Sequence, residues 1–398
     1  MAVIILEEPR RRPPTPQGGF ALFSLGFRPF YLLAALWAVV AIPAWIATLT
    51  GHLAWQGPLP PILWHGHEML FGFATAVIVG FLFTAVRNWT GLATPKGAHL
   101  AAIALLWLAA RIALVTGPLW LAALLDLAFL PWAAVVIGRL LLRARTRRNY
   151  FLMVLLLALT AANALVYASA AGLTDFPPLR ALDLAVALIT VLETVIAGRI
   201  VPGFTANAAR VQTVRHVPLD QAAIVLTLLA LFGWAWQIPM QLVAPVAAAA
   251  AIAQAWRSWL WRPLATLRVP LLWVLHLAHA WIVVALLLIA LHGLGWNTLH
   301  VVTHVLTVGA MAGLILGMIT RTALGHTGRM LKGGRIETAA YVLLALALLA
   351  RVLPPLLWPA VYVPGLWLAV LAWCAAFGLY IWRYLPMLVR PRADGRSD

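Results

Sequence analysis

Cysteine is nearly absent, with Cys374 the only one in 398 residues. A single thiol permits no intrachain disulfide and no thiolate metal cluster, and within an apolar run it reads as a small buried residue. Acidic side chains number only 11, too few and too scattered for the oxygen-rich cage that magnesium or calcium needs. Charged residues make up 10% of the chain against 64% hydrophobic, and the mean hydropathy is +0.95, which excludes a soluble domain. The alternation of membrane β-strands is missing, and no HExxH segment offers a zinc-hydrolase site.

What remains is helix. Apolar stretches of roughly 20 residues, enough to cross about 30 Å of hydrocarbon, recur near 29–50, 64–86, 98–116, 118–142, 150–172, 180–198, 217–238, 240–260, 270–292, 298–320, 337–353 and 357–385. The chain therefore reads as an all-α integral membrane protein of twelve transmembrane helices. One membrane domain spans 28–388, between tails at 1–27 and 389–398. The first apolar run begins only after Arg10, Arg11, Arg12 and several prolines, so no cleavable signal peptide is expected.

The formal charge of +17 could suggest nucleic acid, but its placement points to topology. Alternate loops hold 25 of the 28 Lys and Arg, leaving only Arg111, Arg180 and Arg351 elsewhere. Positive-inside bias then puts both termini in the cytoplasm. The expected partner of the basic loops is membrane lipid, with no nucleic acid.

Sliding the chain against itself by 237 positions pairs His67 with His304, Gly72 with Gly309, Gly80 with Gly317, and Gly91 with Gly328. VIAGRI (195–200) aligns with VIVGFL (77–82) and LILGMI (314–319), spacing Gly80, Gly198 and Gly317 by 118 and 119 residues. Three four-helix pseudo-repeats follow, near 28–142, 150–260 and 270–388.

Six of the eleven histidines form three pairs on three of these spans: His65 with His67, His276 with His279, and His300 with His304. His300 and His304 share a helix face about 6 Å apart, and His276 and His279 one about 4.5 Å apart. An outer layer of His65, His67, His300 and His304 is expected, with the span-nine pair deeper. Imidazoles in a thiolate-free apolar site suit haem iron, copper or zinc, and haem with copper fits best because haem is itself apolar. Glu68 adjoins His67 and is a candidate either to orient a ligand or to deliver protons. Glu193 is a second candidate intramembrane carboxyl, against the plainer expectation of a salt bridge to a neighbouring arginine. Asp126 has Asn163 as a candidate hydrogen-bond partner. Arg111 and Arg351 either snorkel or pair with haem propionates.

The runs HGHEMLFGF…GFLFTAVRNWTG (65–91), GRIVPGFTANAAR (198–210) and GMITRTALGHTGR (317–329) together resemble the NnrS family of bacterial twelve-span membrane proteins, over essentially the whole chain. That resemblance implies haem b, one or two per chain, with copper as a further candidate. It also implies a bacterial inner-membrane location, a role in nitric oxide handling, and His65, His67, Glu68, His300 and His304 in the functional core. The plan is also similar to the catalytic subunit of haem-copper oxidases and nitric oxide reductases, by architectural analogy alone.

Three function classes are open. The first is a nitric oxide reductase, converting 2 NO with two electrons and two protons to N2O and water, the electrons coming from quinol or another donor. The second is a protein that binds or responds to nitric oxide without turnover. The third is a permease, which leaves the histidines unexplained.

Overall fold

The structure, a computed structural model, describes residues 19–396. The expectation of no signal peptide therefore falls outside the described residues. Every regular element described is helical. Twelve long helices follow in order: α1 Phe27–Leu49, α2 Pro61–Thr90, α3 Gly97–Thr116, α4 Leu119–Arg143, α5 Phe151–Ala170, α6 Pro178–Ala209, α7 Val217–Ala235, α8 Met240–Leu260, α9 Pro270–Gly293, α10 Leu299–His326, α11 Arg335–Leu357 and α12 Tyr362–Val389. Eleven are long and apolar enough to cross a membrane. The exception to the twelve expected is α8, where Gln241 precedes a run of alanines and Gln254 and Arg257 follow it. It packs between α7 and α9. The last helix starts later than its apolar run, because Pro359–Val361 forms a separate 3-10 turn.

Basic residues gather at the ends where α2, α4, α6, α8 and α10 finish, hereafter the basic end. The loops at the opposite end carry no Lys or Arg. The chain closes on itself, with α12 packed against both α1 and α11.

The helices that carry Gly80, Gly198 and Gly317 are the most enclosed. Buried residues make up 83% of the most apolar window in α2, 72% in α6 and 78% in α10, against at most 50% in every other span. The glycines sit where another helix presses in. A Cβ at Gly80 would come 2.8 Å from the Phe30 Cβ, and one at Gly317 would come 2.7 Å from Leu275. At Gly198 the space is filled by the Arg257 guanidinium.

A sharp prediction follows. Gly80→Ala is expected to destabilise the protein by about 1–3 kcal/mol through overpacking. Gly203→Ala on α6, whose Cβ would meet nothing within 4 Å, should instead stabilise by about 0.5–1 kcal/mol through helix propensity. Thermal unfolding in detergent distinguishes the two signs.

Two helices depart from α geometry. In α2 the segment Glu68–Ala74 is π-helical, and in α10 so is Val305–Met311. Each begins directly after a histidine, His67 and His304, and the two are offset by the same 237 residues as the sequence match. π-turns concentrate at functional sites, because the widened turn re-aims the side chains around it.

Candidate functional site

The histidines expected in two layers occupy three places. The first place is a cavity of about 650 Å³ near the opposite end, walled by α1, α2, α6, α10, α11 and α12. His65, His300 and His304 line it, with Asp183, Arg351 and Trp45. His65 lies on the first turns of α2, flat against the Trp45 indole at 5.0 Å between centroids and 7° between planes. The Nδ1 atoms of His65 and His304 are buried without a hydrogen-bond partner. His300 stands one turn before His304 and is exposed, so it sits at the rim. Arg351 lies within electrostatic reach of both His65 and His304. Its guanidinium rests over the Tyr362 ring, 5.6 Å from the centroid, and it has no carboxylate partner among the described residues. The rest of the wall is largely apolar, including Met69, Phe73 and Trp373.

The second place is a polar cluster at His67, which does not line the cavity. His67 Nδ1 is 3.0 Å from Glu68 Oε1, and its Nε2 is 3.1 Å from Asp126 Oδ2 and 2.9 Å from Asn163 Oδ1. The Asn163 amide donates to Asp126 Oδ2 at 2.6 Å, as the sequence suggested, and the Tyr167 hydroxyl reaches the same oxygen at 3.2 Å. Arg111 closes the group through a direct contact to Asp126 and a 3.5 Å approach to Glu68 Oε2. His67, Glu68 and Arg111 are fully enclosed. Arg111, expected either to snorkel or to meet a propionate, is held between these two buried carboxylates. Glu68 likewise faces this cluster, away from the cavity. Gly72 makes the arrangement possible, since a Cβ there would lie 2.8 Å from Arg111 and 2.9 Å from Glu68. Its carbonyl accepts the Trp107 indole N–H at 3.0 Å.

The third place lies toward the basic end, where His276 and His279 pack against Trp261 at 6.5 and 4.8 Å between ring centroids. Thr205 meets His276 Nε2 at 2.9 Å, and neither ring nitrogen of His279 makes a hydrogen bond of good geometry.

Glu193 does not form the salt bridge expected of it. It is buried with Oε2 unpartnered, because the nearby cation on α8, Arg257, is already held by Asp220 at 2.8 Å. Among the described residues no three His, Cys, Asp or Glu side chains converge to hold a metal ion. The cavity, apolar and lined by His65, His300 and His304, fits a large apolar group needing one or two imidazoles.

The 118-residue repeat spacing makes Asp183 the positional counterpart of His65, whereas Trp45 has no counterpart that marks it. The repeat offset carried the first signal. Nothing local carried the second, since tryptophan on an apolar helix is ordinary.

Residues 21–392 match the family described as "NnrS protein". No curated protein matches the chain.

Proposed function

The chain belongs to the NnrS family, and from that premise we propose that it binds haem b in the cavity between His65 and His304 and reduces nitric oxide there. Family membership points to a role in nitric oxide metabolism or response. The observation that carries the finer reading is the pairing of an apolar cavity of about 650 Å³ with two unpartnered imidazole nitrogens and an unpaired arginine. Its volume falls within the roughly 300–1,000 Å³ usual for cofactor sites.

His304 is the imidazole that would hold the iron, leaving a position open for nitric oxide; His65, its ring plane fixed by Trp45, lines the same cavity, and Arg351 would meet a propionate. When bound, haem b supplies a redox-active iron that takes nitric oxide and passes electrons to it. The reading is 2 NO + 2 electrons + 2 protons giving N2O and water, with a quinol or another carrier as donor. Asp183 is the carboxyl in the cavity wall, and it is therefore assigned proton delivery in place of Glu68. The remaining site expectations, for Glu193 and for His276 with His279 as a second haem or copper site, have no such cavity behind them. With one end of the bundle carrying the basic loops, the proposed setting is the bacterial inner membrane with both termini cytoplasmic.

A second reading, capture of nitric oxide without turnover, needs only the cavity and its two unpartnered imidazole nitrogens. Anaerobic nitric oxide consumption with excess quinol separates the two. Many equivalents consumed per protein support the reductase, and uptake that stops at stoichiometry supports the binder. Asp183→Asn should slow turnover by about 10²–10⁴-fold, the range of a lost general acid, while leaving haem content unchanged.

A further inference from the structure

A second, much smaller void of about 20 Å³ lies between α9, α10 and α11. It exceeds the roughly 10–15 Å³ needed for one water-sized molecule. Trp281, Gly309, Gly313, Leu344 and Leu348 are in its wall, and its one hydroxyl, on Tyr341, is already bonded to Thr320 at 2.6 Å. A small, mainly apolar recess of this kind favours apolar gases over water.

Two glycines create the space. A Cβ at Gly309 would come 2.8 Å from both Leu348 and Trp281, and one at Gly313 would come 3.1 Å from the Ala278 Cβ. The void also has two neighbours. Val308, on the π-helical segment of α10, lines both this void and the large cavity, next to Thr307, which faces the cavity. On the other side, Leu277, Trp281 and Ala345 are half-buried between α9 and α11, where the bilayer would surround the bundle.

We propose that this void is a docking site for a small apolar gas on a lateral route from the membrane, past Val308, into the His304 cavity. The site follows from the void and its walls, and the identification of the gas as nitric oxide rests on the functional reading above. A neutral diatomic concentrates in hydrocarbon relative to water, so a lipid-side path supplies it where it is most abundant. Val308 acts as the partition between docking site and cavity.

The probe is xenon. Diffraction from crystals of the full-length protein under xenon pressure should show a xenon atom between Trp281 and Gly309 in the wild type. Its occupancy should fall at least several-fold in Gly313→Ala, whose methyl enters the void, and in Ala345→Phe, which plugs the lipid side without touching a helix contact at glycine. Stopped-flow mixing with nitric oxide should then show association and dissociation slowed together in both variants, with affinity unchanged, as expected for a blocked path. Absence of xenon from the wild-type void overturns the proposal, as does full xenon occupancy in both variants. Xenon binding with unaltered nitric oxide rates also overturns it, because the void is then off the route. A wild type that binds xenon there but takes up no nitric oxide overturns the functional reading instead and leaves a gas site for another apolar molecule.

Discussion

Arg111→Met alone is expected to destabilise the protein by about 3–5 kcal/mol, the usual result of removing one partner from a buried ion pair. The reason is local. Arg111 is fully enclosed between Glu68 and Asp126, and without its charge two carboxylates share one low-dielectric space with only His67 to offset them. Adding Asp126→Asn removes one of those charges and keeps an amide beside Asn163 and Tyr167, so the double variant should regain part of the loss. Thermal unfolding of the purified protein in detergent gives both numbers. A change within about 0.5 kcal/mol for Arg111→Met, the level of an uninvolved surface position, would mean that the cluster is not held by charge.

The other large effect separates two histidines that match each other across the 237-residue offset. His304→Ala should lose bound haem and reduce nitric oxide consumption by more than the roughly 10–100-fold typical of an outer-shell substitution, because it removes a cavity imidazole. His67→Ala should keep haem and instead lose stability, because both of its ring nitrogens are spent on Glu68, Asp126 and Asn163. Haem-to-protein ratio and unfolding midpoint, taken on the same two preparations, give opposite patterns. If His67→Ala is the variant that loses haem at normal stability, the assignment of sites is reversed.

The helices were legible because all but one of the apolar runs are long and strongly apolar, and boundaries shifted where prolines reset the backbone, as at Pro359–Val361 before α12. The Arg111–Asp126 contact was within reach of the sequence too, since the two flank the short α3–α4 connection at similar depth. The separation of His65 from His67 follows from residues two apart on a helix pointing to different sides, and grouping them by proximity along the chain hid this. Glu193 misled because Arg199, the cation nearest in sequence, turns to Asn149 at 2.9 Å. The cavity could not be read at all. It is a space between six helices, and its aromatic wall, Trp45 and Trp373 among others, has no local pattern that distinguishes it from lipid-facing apolar surface.

Whether the His65–His304 cavity holds haem b is read from the absorption spectrum of the purified full-length protein, oxidised and then reduced with dithionite. The wild type is expected to show the sharp reduced bands of haem b at stoichiometric amount, and His304→Ala to lose them. A homogeneous, folded wild-type protein with no haem bands, or a His304→Ala variant whose spectrum is unchanged, contradicts the haem assignment.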